Sequence, residues 1–253
     1  MENIINLYKP IGLTPLQAIQ EFKKNNHRYR KEKISYSGRL DPMAQGVLLL
    51  LVGDENKNMN QYMSFDKEYS AKILLGFSSD SYDILGFSVL GNNCDLEISL
   101  IKKIIKSFKG SYIQKLPVYS SYKIKGKPLF YYARKGKLDE IEIPFKNVDI
   151  RKIDINSIYK IGSGKLLKEI VKKIKSVEGD FRQDEILKKW NKLLIKNDER
   201  YFVVDIIIGC SSGTYIRAIA EDVGKKLGCG GLLLDLVRTK VGKFDIKKSK
   251  RLK

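Results

Sequence analysis

The chain has 253 residues, with 48 Lys+Arg against 29 Asp+Glu and a formal charge of +19 at pH 7. That length is ample to bury a core, and 43% hydrophobic and 10% aromatic residues exclude wholesale disorder. The longest apolar run, Val47 to Val52, falls far short of the roughly 20 residues a membrane span needs. Met1-Glu2-Asn3 has neither the basic start nor the apolar stretch of a secretory signal.

The single histidine, His27, sits in a basic stretch with no nucleophile motif beside it. Zinc sites built from several histidines are therefore excluded. Cys94, Cys210 and Cys229 lack metal-type spacing, and their odd number argues against a disulfide framework. The cytoplasm is the expected compartment. Gly162-Ser163-Gly164-Lys165 resembles a phosphate loop only at first sight. That pattern needs a glycine where Tyr159 stands and a Ser or Thr where Leu166 stands. No cofactor and no metal are expected.

In chain order, Leu7 to Pro15 is turn-rich and runs into a helix with Leu16, Ile19 and Phe22 on one face. A basic stretch follows, then a loop from Ser35 to Pro42 and a buried strand from Val47 to Val52. Tyr69 to Leu75 alternates as a strand, and Asp80 to Gly86 is an acidic turn. Ile98, Ile101, Ile104, Ile105 and Phe108 recur at helical spacing, with Gly110 at the cap position.

Leu166, Leu167, Ile170, Val171, Ile174 and Val177 form a helical stripe, and Ile186, Leu187, Trp190, Leu193 and Leu194 form a second. With the break at Gly179-Asp180 they predict a helical hairpin within residues 159–199. Phe202 to Ile208 is a further strand and Thr214 to Leu227 a further helix. Interleaved strands and helices without a repeat predict a mixed α/β (α+β) domain.

A positive surplus of this size points to a polyanionic partner, because each neutralised phosphate releases condensed counterions. Fourteen tyrosines add aromatic faces on which unstacked RNA bases can lie. A lysine-rich compositional bias across the whole chain accounts for part of the surplus as well.

The stretch most suggestive of chemistry is Gly38-Arg39-Leu40-Asp41-Pro42-Met43-Ala44-Gln45-Gly46-Val47-Leu48. Proline biases the Asp41 backbone to an extended conformation, and a loop against a buried strand is where catalytic groups are presented. Asp-Pro is also an ordinary turn. The whole segment, however, resembles the G-x-L-D-P-x-A-x-G-[VM]-L signature of the TruB family, the tRNA pseudouridine-55 synthases. Four further segments agree in order: Lys9-Pro10-Ile11-Gly12-Leu13-Thr14; Asp66-Lys67-Glu68-Tyr69; Pro117 to Lys123 with Tyr132 to Gly136; and Gly213 to Arg217 with Leu227 to Gly231.

The resemblance implies a single pseudouridine-synthase domain over residues 1–253, with a central, mostly antiparallel sheet flanked by helices and the hairpin inserted. It implies that Asp41 attacks a flipped uridine, at the sugar C1′ or by an alternative route on the base. The base is then released, rotated and rejoined through C5. Arg217 would keep the carboxylate charged, and Tyr69 would pack on the base and accept the C2′ proton. Tyr215 and Leu236 would line the pocket, Lys9 and Pro10 would buttress it, Gly38 would shape the turn, and Asp80 would lie near the extruded bases.

Two departures from the family pattern stand out. Ser35-Tyr36-Ser37-Gly38 occupies the place of the family's G-H-T-G, so Tyr36 is expected to stack where the histidine would. Too few residues follow Arg217 for the family's C-terminal PUA domain, so acceptor-stem binding is expected to lack that support. The expected partner is tRNA at its T arm, bound by a monomer. The rival expectations are a non-catalytic tRNA-binding or tRNA-folding protein of this fold, and a synthase aimed at another uridine.

Overall fold

The structure, a computed structural model, describes residues 2–92, 96–195 and 199–252, so Cys94 lies outside the described residues. Strands β1 (Ile4–Lys9), β2 (Ile34–Ser37) and β3 (Ala44–Val52) come first, with helix α1 (Pro15–Asn25) after β1. Helix α2 (Met59–Ser64) leads into β4 (Lys67–Leu75) and the ribbon β5 (Phe77–Ser79) and β6 (Ser88–Leu90). Helix α3 (Ile98–Lys106), β7 (Gly110–Lys115), β8 (Lys123–Ile124), β9 (Lys127–Pro128) and helix α4 (Leu129–Arg134) follow. Then come β10 (Phe145–Gly162), helices α5 (Ser163–Lys175) and α6 (Gln183–Leu194), and β11 (Arg200–Cys210). Helix α7 (Ile216–Leu227), β12 (Gly231–Val241), β13 (Phe244–Asp245) and β14 (Lys250–Arg251) are last.

One ten-stranded sheet runs β14-β1-β3-β12-β4-β11-β10-β7, with β2 paired to β3 and β13 to β12. Only the β1–β14 and β3–β12 pairs are parallel. This is the mixed α/β architecture that the sequence pattern predicts, with the mostly antiparallel sheet that the resemblance implies.

The middle of the sheet is covered on both faces, and alternate residues of its central strands feed different cores. Ala71 and Ile73 of β4, Val204 and Ile206 of β11, and Leu233 of β12 pack with Ile101 of α3 and with Ile219 and Val223 of α7. Leu74, Val203, Leu232 and Leu234 point the other way, onto Leu166 and Ile170 of α5 and Trp190 of α6. In β3 the split is between Leu48 and Leu50, which meet Ile19 and Phe22 of α1, and Leu49 and Leu51, which meet Tyr62 of α2. The uninterrupted Val47–Val52 run is the signature of such a doubly covered strand.

Helix α1 opens on a capping box between Thr14 and Gln17, with Pro15 in its first turn. Its buried face is Pro15, Ala18, Ile19 and Phe22, whereas Leu16 is 60% exposed. Of the expected Leu16–Ile19–Phe22 face, Ile19 and Phe22 are buried and Leu16 is not, because Pro15, Ala18/Ile19 and Phe22 give the tighter i, i+3/i+4, i+7 stripe. Gly110 does not cap α3, which ends on Ser107; with φ of +103° it opens β7 instead.

The two helices α5 and α6 connect β10 to β11, and residues 159–162 belong to β10. Lys165, Lys168, Lys172 and Lys175 are exposed on α5. Lys173 turns inward and pairs with Glu169 at 2.8 Å and Asp235 at 3.3 Å. No helix of the described residues is long and apolar enough to cross a membrane.

Candidate active site

Asp41 lies in the loop between β2 and β3, and Arg217 in the first turn of α7. Sheet pairing of β3 with β12, and of β12 with β4, brings these distant segments together. Nε and Nη2 of Arg217 both lie 2.9 Å from one Asp41 carboxylate oxygen. The guanidinium also donates to the Ser81 carbonyl at 2.6 Å and the Tyr119 carbonyl at 3.2 Å. The Asp83 carboxylate stands 3.8 Å from Nε as well. Arg217 is 5% exposed at its side chain and Asp41 32%, so the arginine is fixed while the carboxylate faces the cavity.

Burial pulls the Arg217 pKa down, but Asp41 and Asp83 outweigh it, and the net shift is upward. A guanidinium so placed remains charged. Burial pushes the Asp83 carboxyl up, against the pull of Arg217 and of its hydrogen bond from Ser81. Ser81 Oγ at 2.6 Å and the Leu85 amide at 3.0 Å hold the Asp83 carboxylate in place.

Asp41 opens onto a cavity of about 230 Å³ lined also by Gly38, Lys67, Tyr69, Tyr215, Arg217, Leu236 and Arg238. Five of the residues singled out from the sequence therefore share this cavity with Asp41. Tyr69 is buried from strand β4, and that burial pushes its phenol up to about 12. Tyr215 donates its backbone amide to Gln114 at 3.1 Å. Lys9 lies behind the cavity, fully buried, with its ammonium on the carbonyls of Pro10 and Leu13 at 2.9 and 2.7 Å. Burial brings the Lys9 pKa down to about 7, although Asp41 pulls it upward.

Asp80 lines neither this cavity nor the adjoining cleft. One of its oxygens accepts from the Phe87 amide at 2.8 Å and the other pairs with Arg182 at 3.1 Å. Tyr36 also stands outside both; it is half-buried in β2, and its hydroxyl accepts from Arg39 at 3.3 Å.

Sequence reasoning missed Arg238 and Asp83. Arg238 is 1% exposed and donates to the carbonyls of Val47, Arg39 and Gly38 at 2.8, 3.3 and 3.0 Å. It pins the loop that carries Asp41. Its strand passes so close to β3 that a Cβ at Gly46, whose φ is +110°, would lie 2.2 Å from the Arg238 carbonyl oxygen. An arginine directly after the mostly apolar Leu232–Val237 run, which only Asp235 interrupts, was the available signal. For Asp83 it was the second acid of the Ser79–Asp83 loop.

Chemically, the site offers one charged, partly exposed carboxylate beside two tyrosines, with a buried cation fixing its orientation. That is the layout of an oxygen nucleophile facing a flat, aromatic-sized pocket.

A model of the TruB family pseudouridylate synthases, for the N-terminal domain, matches residues 26–170. A protein named tRNA pseudouridine synthase B from Clostridium tetani is 35% identical over 251 residues, covering 98% of this chain and 71% of that protein. Proteins of the same name from Thermosipho melanesiensis and Endomicrobium trichonymphae are 32% and 33% identical; the chain covers 66% and 90% of their lengths. Among solved structures, a Cbf5-Nop10-Gar1 complex contains a chain matched with a TM-score of 0.62 at 21% identity. An H/ACA RNP bound to a substrate RNA containing 2'-deoxyuridine gives 0.60 at 20%. This chain spans about half of those two chains, 52% and 50%, and at such identity the likeness concerns the fold.

Proposed function

The chain belongs to the TruB family of pseudouridylate synthases, and on that footing we propose that it isomerises uridine to pseudouridine in tRNA. The target in this reading is uridine 55 of the T loop, reached by a monomer in the cytoplasm after the nucleotide leaves its stack. The observation that supports it most is the Asp41–Arg217 pair at the mouth of the cavity. Asp41 attacks the flipped nucleotide, the N1–C1′ bond breaks, the base turns, and C5 takes its place on C1′. C5 gives up its proton and N1 gains one, so the reaction needs no cofactor. Chemical mapping of pseudouridine in an unmodified tRNA transcript tests the target: a single modified position at 55 is expected, and modification elsewhere contradicts it.

In this reading Tyr69 takes the C2′ proton as the Asp41 carboxylate leaves C1′, and returns it to C2′ as C5 bonds to C1′. A phenol pushed up to about 12 is ionised in only about one molecule in 10⁴ to 10⁵ at neutral pH. Turnover is therefore expected to climb by up to about tenfold per pH unit from 7 to 9. Tyr69→Phe should lose that climb while keeping RNA affinity within a few-fold. A flat profile for the unaltered protein would restrict Tyr69 to packing.

The exposed lysines of α5 keep the helical pair soluble; the alternative reading makes them a phosphate grip on the body of the tRNA. Their spacing places Lys165, Lys168, Lys172 and Lys175 along one face, opposite the buried Leu166 and Ile170. On the grip reading, changing all four to Gln is expected to weaken full-length tRNA binding and flatten its salt dependence, by about one slope unit per lost phosphate contact. A minimal T-arm hairpin should be affected much less. Unchanged affinity and slope for full-length tRNA would leave these lysines as a solubilising face.

A further inference from the structure

Beside the Asp41 cavity lies a second cleft of about 360 Å³ lined from α4 and from the α5–α6 turn. The α4 side presents Phe130 and Arg134, and the turn presents Phe181 and Arg182. Asp41 and Arg217 line it as well, so the cleft runs directly into the catalytic pair.

The turn is built rather than loose. Ser176 packs so tightly on Gly12 that a Cβ there would lie 2.0 Å from the Ser176 carbonyl oxygen. The Glu178 amide donates to the Gly12 carbonyl at 3.1 Å, and the Gly12 amide to Pro42, next to Asp41, at 2.8 Å. Gln183 ties the turn internally, donating to Val177 and Gly179 and accepting from the Phe181 amide. On the far helix, the Trp190 indole donates to the Ile84 carbonyl at 3.0 Å, beside the loop that holds Arg217.

Within this rigid turn Arg182 adopts a left-handed backbone with φ of +63°. Side chains with a Cβ avoid that region, and such outliers persist where the surroundings over-determine them. Its guanidinium lies over the rings of Phe87, at 4.5 Å, and Tyr119, at 5.0 Å, and pairs with Asp80. Arg134 is placed likewise, 5.7 Å from both Phe130 and Phe181. Stacking covers the faces of a guanidinium and directs its edge donors to a planar or anionic acceptor; in the free protein Nη1 of Arg182 is on Asp80 at 3.1 Å, a place an RNA phosphate would share or take over. Fixed guanidinium edges alternating with aromatic rings are the chemistry that receives single-stranded nucleic acid.

We propose that Arg182, supplied by the α5–α6 turn, binds a backbone phosphate of the RNA segment next to the flipped nucleotide, lining the site together with α4. This inference rests on the RNA-modifying reading above and adds a substrate-binding residue to it. Held by Asp80 in the free protein, Arg182 is already in position when RNA arrives.

The test measures binding, so it stands apart from turnover. Affinity of the full chain for a T-arm hairpin transcript is measured across a salt series for the unaltered protein, Arg182→Gln and Arg182→Lys, with thermal melting alongside. We expect Arg182→Gln to weaken binding about tenfold and to lower the salt slope by about one. Arg182→Lys, which keeps the charge, should restore the slope and part of the affinity. An Arg182→Gln variant with an unchanged salt slope overturns the proposal, whatever happens to its melting temperature. If the unaltered protein binds the hairpin in an Arg182-dependent way yet forms no pseudouridine, the functional reading fails and the phosphate contact stands.

Discussion

Asp41→Asn is expected to abolish isomerisation, by on the order of 10⁴-fold or more, while leaving tRNA affinity within a few-fold. The amide has nearly the shape of the carboxylate but is no nucleophile, so the reaction loses its first covalent step. The fold should survive, because Arg217 keeps the Ser81 and Tyr119 carbonyls at 2.6 and 3.2 Å and the Asp83 carboxylate at 3.8 Å. Single-turnover kinetics on a T-arm transcript, with binding measured in parallel, provides the check. Measurable turnover by the variant removes Asp41 from the nucleophile's role.

The second large effect is expected at Arg217. Lysine keeps the charge but not the planar fork, and one ammonium cannot serve Asp41, Ser81, Tyr119 and Asp83 from a single point. Arg217→Lys should lower turnover by roughly 10³-fold, equivalent to about 4 kcal/mol. Arg217→Met goes further, since it strands two carboxylates, and breaking a buried pair in this way costs about 3–5 kcal/mol. The Met variant also carries a pH signature. Asp83 is buried and its carboxyl already stands above its ordinary value; without the guanidinium it rises further. A carboxyl raised in the folded state favours folding fully below its unfolded pKa, near 3.8. That contribution is lost as pH rises through the folded value. The stability gap between Arg217→Met and the unaltered protein should therefore widen from about pH 4 to pH 7. Denaturant midpoints at the two pH values measure it, and an equal gap at both would show that Asp83 is insensitive to Arg217.

Much of this arrangement was legible in the chain. The Val47–Val52 run announced a strand covered on both faces, and the two stripes at 166–177 and 186–194 announced the helical pair. Local pattern sufficed there because burial repeats with the period of the element. The pairing of Asp41 with Arg217 came from resemblance, since nothing in the spacing of residues 176 positions apart implies contact. What stayed hidden depends on tertiary placement. Arg238 reads as a charged interruption in a strand until three carbonyls of the Asp41 side are found around its guanidinium. Leu16 reads as core until Pro15, Ala18, Ile19 and Phe22 are seen to form the buried stripe of α1. Asp80 reads as an open acid, yet Arg182 of the α5–α6 turn occupies one of its oxygens. The turn's place in the wall of a cleft could not be read from helical periodicity, which reports which face is buried and not where the end of the hairpin lands.

The account rests on Asp41 driving an exchange of C5 for N1 on the ribose of a tRNA uridine. Tritium released from C5-labelled uridine in a T-arm transcript measures that exchange directly. One tritium released per transcript by the unaltered protein, and none by Asp41→Asn, is the predicted result. Tight binding of the transcript with no tritium released by the unaltered protein would contradict it, and would leave a tRNA-binding protein that does no chemistry.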